Sequence, residues 1–208
     1  MNPLGLTYDE ITPDNLIKLD IEGRLVEASP YPANPAGFAL HGVIHANRPD
    51  VHCVAHAHTI AVSAVAGKKH GFSHDNFQGA QLTGRIGYHD FEGITIYADE
   101  RERILASLGQ NDVLVLRNHG VAVCGPDVPT TFALLVTVQR AAEIQLATQC
   151  MTGENIPIAP EVRERCRVDA MRGMHKGPVA RMLYDATVRR MKRERQAAGY
   201  AFSLGQKV

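Results

Sequence analysis

Two histidines stand two residues apart in the short apolar stretch VAHAHT, residues 54–59. Successive side chains of a β-strand point to opposite faces, so a strand here would place His56 and His58 on the same face. Their backbone positions would be about 6.5 Å apart, and both rings could reach one metal ion at a bond length near 2.0 Å. The spacing therefore permits a metal site, and equally a pair of hydrogen-bonded histidines at a sheet edge.

A third imidazole can come from the stretch RNHG, residues 117–120, which lies between two strand-like apolar runs. The first run ends at Leu116 and would deliver His119 to a turn made by Gly120. In α/β proteins, functional side chains are often found where a buried strand ends. Three neutral histidines would leave one or two coordination positions open, as in a catalytic metal site. The pattern therefore predicts a ligand set of three histidines, His56, His58 and His119.

Other histidines of this histidine-rich chain are weaker candidates. His41 and His45 stand four apart on a predicted helix, which is also a metal-competent spacing. Because the helix lacks the glutamate of an HExxH motif, we expect these two to pack or to support the ligands. His89, in GYHDFEG, is compatible with a buried role and with a catalytic one. We expect three further histidines to be exposed to solvent: His70, His74 and His175.

Composition limits the classes of protein to which the chain can belong. It has 208 residues, 45% of them hydrophobic, and its 22 Lys and Arg are balanced by 22 Asp and Glu. One domain over 1–208 can bury a sizeable core, and the balanced charge argues against a nucleic-acid partner. No apolar run is long enough to span a membrane, and four scattered cysteines suit reduced thiols. We expect a cytoplasmic protein whose partner is a small molecule or another copy of the chain.

Strand-like and helix-like segments alternate, which predicts an α/β layered domain. The predicted elements, in chain order, are a hairpin at 16–28, a helix of about ten residues ending at Pro49, a strand at 51–58, a helix closed by Gly67, a mostly loop region with a short strand at 68–93, a surface helix capped by Asp99, two strands flanking 117–120, a long helix at 128–151 and a basic amphipathic helix near the C-terminus. The basic face of the last helix fits a solvated surface or a subunit contact.

Three segments together resemble the class II aldolase/adducin family, especially its adducin-like branch with the fold of the fuculose-phosphate aldolases. They are NPAGFALHGVIHANRPDVHCVAHAHT, GRIGYHDFEG and LRNHGVAVCG, and the resemblance covers about residues 4–151. It implies a three-layer α/β/α domain with a central, mostly antiparallel sheet, followed by a helical extension at 160–208. It also implies a homotetramer with sites between subunits, and a divalent metal ion on His56, His58 and His119. That ion is usually Zn²⁺, with Mn²⁺, Fe²⁺ or Co²⁺ as alternatives.

The chain departs from the sugar-phosphate aldolases that it resembles. In those enzymes the metal acts as a Lewis acid on adjacent oxygens of the donor substrate, and a carboxylate moves the proton. The matching position here, nineteen residues before His56, is Gly37, and glycine cannot move a proton. Two serines that hold the substrate phosphate are replaced by Pro35 and Ala36. The resemblance therefore does not extend to sugar-phosphate cleavage.

Two functions are compatible with the sequence. The first is a metal-dependent, lyase-like enzyme acting on a small carbonyl or hydroxyl-bearing compound, with Tyr88 or His89 as proton donor. Tyr88 matches the region where the aldolases place a tyrosine that reaches a neighbouring subunit's site, although a buried tyrosine with a satisfied hydroxyl is the ordinary alternative. A metal-bound water could carry the proton instead. The second function is a non-catalytic, adducin-like binding or scaffold protein, in which the ion locks the histidine strand to the His119 turn.

Overall fold

A four-stranded sheet forms the centre of the molecule. A computed structural model describes residues 1–94, Tyr97, 99–175 and 178–199. The strands are β1 (Cys53–Ala57), β2 (Ile86–His89), β3 (Val113–Leu116) and β4 (Gly120–Gly125), in the spatial order β1-β4-β3-β2. β1 and β3 both pair antiparallel with β4, whereas β2 pairs parallel with β3. The sheet is therefore mixed and mostly antiparallel, as the family resemblance implies.

Seven α-helices surround the sheet in the described part of the chain. They are α1 (Pro35–Asn47), α2 (Ile60–Ala66), α3 (Phe77–Gln81), α4 (Glu100–Leu108), α5 (Val128–Gln149), α6 (Pro160–Ala170) and α7 (Val179–Ala197). A 3-10 turn, Pro13–Asn15, and a π-helical turn, Met171–His175, complete the helical elements. None of the described helices is long and apolar enough to cross a membrane.

Side chains that alternate along the buried strands divide the core into two halves. Val113 and Val115 of β3 pack with α2 and α5, whereas Leu114 and Leu116 pack with α1 and α4. All four are at most 3% exposed, so β3 is covered on both faces. A strand covered on both faces is apolar throughout, which explains the unbroken VLVL run. The predicted three-layer α/β/α arrangement is confirmed.

The same alternation determines to which face of the sheet each side chain of β1 points. In β1, Ala57 packs with the α2 and α5 side of the core, and Val54 packs with the α1 and α4 side. Since residues two apart share a face, His56 lies on the side of the sheet that α1 covers. All five residues of β1 are half-buried, because it is an edge strand of the sheet. The predicted division of this strand into two faces is confirmed.

Short elements differ from the sequence predictions. The hairpin expected at 16–28 is present as an antiparallel turn with an isolated bridge between Leu19 and Leu25, but it forms no regular pair of strands. Ile17 in its first arm is 2% exposed, whereas Leu25 in its second arm is about half exposed, so only the first arm packs on the core. α3 lies in the region expected to be mostly loop; its first turn is held by the Asn76 side chain, which accepts from the Gly79 amide at 2.7 Å. A five-residue helix is too short to show a periodic pattern.

Longer elements agree with their predictions, apart from one cap. α2 ends at Gly67 and α5 begins with Pro129 in its first turn. α4 forms where expected, but Asp99 has helical dihedral angles and its side chain accepts no capping hydrogen bond. Its carboxylate instead pairs with Arg103 at 3.3 Å, one turn into the helix.

The C-terminal helices pack against the body of the protein. α6 contacts α3, and α7 contacts α5, where the rings of Phe132 and Tyr184 meet edge to face at 5.9 Å. α7 buries Ala180 and exposes Arg189 and Arg190 on its outer side. The predicted basic amphipathic helix is thus present, while residues 200–208 of the expected extension lie outside the described residues.

A methyl group at Gly120 is expected to disturb the junction between β4 and the end of β1. A Cβ at this position would lie 2.4 Å from the Ala57 carbonyl oxygen and 2.8 Å from Cδ2 of His58. We expect Gly120→Ala to lower the free energy of unfolding by about 1–3 kcal/mol, measured by urea denaturation. Gly67→Ala is the matched control, since its Cβ would meet only ordinary contacts from 3.5 Å outward. Equal stability of the two variants would contradict the clash.

Candidate metal centre

Three predicted ligands lie together at one end of the sheet. The ring centroids are 4.4 Å apart for His56 and His58, 4.5 Å for His58 and His119, and 5.0 Å for His56 and His119. One ring nitrogen from each lies within 4.8 Å of the other two. Within the described residues, no other trio of His, Cys, Asp or Glu side chains is grouped in this way.

A backbone hydrogen bond fixes the tautomer of His56. Its Nδ1 lies 3.0 Å from the Val121 carbonyl oxygen of β4. A carbonyl oxygen can only accept, so Nδ1 carries the proton and Nε2 of the neutral ring has a free lone pair. That Nε2 lies 2.6 Å from Nε2 of His58, so both nitrogens point to one place. Such a hydrogen bond on the far nitrogen is typical of metal-bound histidines, because it orients the ring.

A tight turn between β3 and β4 presents His119. The His119 amide donates to the Leu116 carbonyl at 3.1 Å, and Asn118 adopts a left-handed conformation with φ of 56°. Asparagine tolerates this conformation better than most residues. Ser63 of α2 donates its hydroxyl to the His119 carbonyl at 2.9 Å. No local pattern predicts this contact, because Ser63 lies 56 residues away from its partner.

Burial keeps His56 and His119 neutral. Desolvation is the main cause that lowers the pKa of His56 to about 4, with smaller effects from His58 and His119. The pKa of His119 is also lowered, first by burial and then by His58. Neutral imidazoles can bind a cation without first losing a proton. The two rings are therefore in the ligand form at neutral pH.

The surroundings of the group suit a divalent ion with an open coordination position. His56 and His58 line a cleft of about 1120 Å³ between β1, α1 and the N-terminal segment. Three nitrogen donors match the ligand number of catalytic zinc sites, and imidazole also suits iron and other transition metals. The residues present thus fit the kind of ion that the family resemblance implies.

Two histidines of α1 lie in the same cleft without joining the group. His45 is held by its Nδ1, 3.2 Å from the Val51 carbonyl oxygen. His41 is half-buried, and its ring has no hydrogen-bond partner among the described residues. Burial first, and then His45 and the N-terminal amine, lower the pKa of His41 to about 4. His45 is thus an exposed ring held by a backbone carbonyl and not the packed residue that was expected, and His41 is a neutral imidazole facing the cleft.

Tyr88 lies on β2, at the opposite edge of the sheet from β1. Its hydroxyl accepts a hydrogen bond from the Phe72 amide at 3.0 Å, and the Arg117 guanidinium lies 4.7 Å from the ring centroid. Tyr88 is therefore not part of the histidine group of its own chain. A role in a neighbouring subunit's site stays a prediction.

The remaining histidines have varied surroundings. His89 is 4% exposed, with Nδ1 3.1 Å from the Ser107 hydroxyl and Nε2 3.4 Å from the Glu100 carboxylate, so it links β2 to α4. His74, expected to be exposed, is half-buried with Nδ1 2.9 Å from the Gly79 carbonyl oxygen, because the short α3 folds over it. His70 is exposed as predicted. The prediction for the His175 side chain falls outside the described part of the structure.

No carboxylate in the cleft replaces the one missing at Gly37. A Cβ added at Gly37 would lie 3.2 Å from Cε of Met1 and 3.6 Å from the Asn34 side chain. Among the described residues that line the cleft, Asp20 has the only carboxylate. It accepts from the Arg24 Nε at 2.7 Å, and this pairing is the main cause that lowers the pKa of Asp20. Asp20 is thus ionised, and its carboxylate is already paired with Arg24 in the same turn.

Comparison with known proteins identifies the family. Residues 1–146 match the family described as Class II Aldolase and Adducin N-terminal domain. The chain belongs to this family.

Relatives of the chain include both bacterial and animal proteins. A Pseudomonas aeruginosa protein provisionally named as an aldolase of class 2 is 35% identical over 203 residues, covering 96% of this chain and 77% of that protein. Alpha-adducin of Rattus norvegicus is 37% identical over 154 residues, covering 73% of this chain but only 21% of the adducin. The crystal structure of an aldolase II superfamily protein from Pseudomonas syringae has a TM-score of 0.87 at 34% identity, covering 93% and 77% of the two chains.

Acid is expected to destabilise the fold through the buried histidines. The pKa of His41 and of His56 is about 4 in the folded protein, against 6.5 for an ordinary histidine. Between these values the unfolded chain binds more protons than the folded one. The contribution of these two rings to the free energy of unfolding of metal-free protein should therefore fall as the pH drops from about 6.5 to about 4. Urea denaturation across this window should show a shallower slope for His41→Leu than for wild type; identical slopes would contradict the assignment.

Proposed function

We propose that this protein is a metal-dependent, lyase-type enzyme that binds a small carbonyl or hydroxyl-bearing compound. His56, His58 and His119 would hold the divalent ion. The observation that carries the proposal is the convergence of these imidazoles, with ligand nitrogens within 4.8 Å of one another beside an open cleft. Zn²⁺ is the proposed ion, and Mn²⁺, Fe²⁺ and Co²⁺ are the alternatives. The four cysteines are unpaired, which suits the cytoplasm as the proposed compartment.

Hydrogen bonds within the chain orient two of the proposed ligands. A divalent ion, when bound, would supply Lewis-acid polarisation of a guest oxygen. The Val121 carbonyl holds His56 in the tautomer with a free Nε2, and Ser63 holds the backbone of His119. These contacts come from the chain itself, so they would orient the ring of His56 and the backbone of His119 for a cation. The half-buried position of β1 leaves the guest an open approach from the cleft.

Proton transfer is the step for which the chain's own site lacks a carboxylate. We therefore extend the proposal to a homotetramer in which Tyr88 of one subunit serves the site of a neighbour. The Tyr88 hydroxyl accepts from the Phe72 amide, so its own proton is available for donation. Sugar-phosphate cleavage is not part of the proposal, because Gly37 stands where the proton-transfer carboxylate would be.

A second function is favoured by one specific observation, the absence of an unengaged carboxylate among the described residues of the cleft. In this function the ion would join the end of β1 to the turn that carries His119, and no reaction would follow. The similarity to alpha-adducin supports such a binding or scaffold role. The two functions share the metal site and differ in turnover.

Metal content tests both functions. We expect purified protein to contain close to one divalent ion per chain by elemental analysis, since three imidazoles are available to one ion. His119→Ala should lose the ion, because two exposed or half-buried imidazoles hold a metal far less tightly than three. His70→Ala is the control, since His70 is exposed and outside the group. Native protein without bound metal would exclude both functions.

A carboxylate restored at position 37 separates the enzyme from the scaffold. Hydrogen–deuterium exchange next to the carbonyl of hydroxyacetone, followed by NMR, reports proton abstraction by metal-loaded protein. We expect measurable exchange in wild type and about 100-fold faster exchange in Gly37→Glu, since general-base catalysis contributes at least that much. Only the flexible end of Met1 opposes a side chain there. Gly37→Gln, which cannot take the proton, is the control. If neither wild type nor Gly37→Glu catalyses exchange, the result would favour the scaffold.

A further inference from the structure

The cleft beside the histidines lacks cationic side chains. Among the described residues that line it, none is a lysine or an arginine. The N-terminal amine is at its edge, but it donates to the Ile17 carbonyl oxygen at 2.6 Å. Sites for phosphate normally use lysine, arginine or free backbone amides, because a phosphate carries close to two negative charges. Within one subunit, side-chain charge therefore gives a phosphate group no partner in this cleft.

Backbone amides at the start of α1 are also engaged. Residue 35 is a proline and has no amide hydrogen. The Asn34 side-chain oxygen accepts from the Ala36 amide at 3.1 Å and from the Gly37 amide at 3.3 Å. The first amides of a helix bind anions only when they are free. The helix end that borders the cleft is thus closed to an anionic group.

Apolar side chains form the wall of the cleft opposite β1. Leu4, Leu19, Ile21 and Phe38 line it, and Ile21 is 51% exposed. The Phe38 ring packs closely against two glycines, because a Cβ at Gly23 or at Gly42 would come within 2.8 or 3.0 Å of it. Apolar surface that stays accessible in a cleft favours an apolar guest, because binding removes that surface from water.

His41 adds one polar contact to this wall. It follows Gly37 by one helical turn, lines the cleft with His56, and has no hydrogen-bond partner among the described residues. A neutral imidazole can donate from one nitrogen and accept at the other. One guest oxygen could therefore be satisfied by His41 while the apolar part of the guest lies against Phe38.

We infer that the cleft takes an unphosphorylated hydroxycarbonyl compound with an apolar substituent, and that His41 hydrogen-bonds one of its oxygens. This inference rests on the proposed metal site, which would hold the oxygen-bearing end of the guest. It differs from the family's phosphorylated sugars in the charge of the far end.

Three hydroxamates that share the same pair of chelating oxygens test the substrate class. Acetohydroxamate, benzohydroxamate and phosphoglycolohydroxamate are titrated into metal-loaded protein by calorimetry. We expect benzohydroxamate to bind at least about tenfold more tightly than the phosphate-bearing probe, a difference of about 1.4 kcal/mol. Equal affinities, or tighter binding of the phosphate-bearing probe, would overturn the inference and leave the metal site standing. Metal-loaded protein that binds none of the three would overturn the metal-dependent function, and the inference with it.

A charge placed in the wall sharpens the comparison. Ile21→Lys adds a cation to the cleft at an exposed position, and should strengthen binding of the phosphate-bearing probe about tenfold while weakening that of benzohydroxamate. Ile156→Lys is the matched control, because Ile156 is 87% exposed and does not line the cleft. The same response in both variants would show that Ile21 does not face the guest.

His41 is tested by two substitutions with metal content as a second readout. We expect His41→Leu to weaken binding of acetohydroxamate up to about tenfold, as for loss of one hydrogen bond, without loss of the ion. His41→Gln keeps a donor and an acceptor, and should recover most of the affinity. Wild-type affinity in His41→Leu, or loss of the metal from it, would remove His41 from the inferred guest contacts.

Discussion

The antiparallel pairing of β1 with β4 is the constraint on which the site depends. It places Val121 beside Ala57, so that a backbone carbonyl of β4 accepts from the ring of His56. The same strand begins at Gly120, next to the histidine that the turn presents. Because glycine has no Cβ, the end of β1 can lie closer to Gly120 than any other residue at this position would allow. Imidazoles that are 61 positions apart in the chain thereby meet at one place.

Local patterns in the sequence were sufficient to predict that His56, His58 and His119 lie together and that the domain is layered, whereas the three-layer α/β/α arrangement was implied by the family resemblance. The H-x-H spacing in a strand placed His56 and His58 on one face, and the apolar runs around RNHG placed His119 at a strand end. Features that depend on distant neighbours could not be predicted in this way. The Ser63 contact, the burial of His74 under α3, and the bonding of His89 to Glu100 and Ser107 join residues with no shared pattern. The hairpin predicted at 16–28 is present only as an isolated bridge between Leu19 and Leu25, because its second arm stays about half exposed and has no buried face.

Membership of the family leaves the chemistry to be decided by a small number of positions. The architecture is common to proteins named as aldolases and to adducins, so it does not distinguish a catalyst from a scaffold. What distinguishes them is local: a full histidine set, a glycine in place of a carboxylate, and a cleft wall without cations. In the proposed function, the first would provide the metal site, while the other two would restrict the compounds that the cleft accepts.

The distance along the chain between the ligands has a consequence for when the ion is acquired. Closing a segment of this length costs entropy that must be offset by assembly of the strands between the ligands. In zinc fingers, by contrast, closely spaced ligands let the ion drive folding. Here the coordinating atoms meet only after β1, β3 and β4 have associated, so a cation would be selected by an already folded protein. The identity of the bound ion should then depend on which metals the cell supplies and on the rigidity of the folded sheet. It should not depend on events during synthesis of the chain.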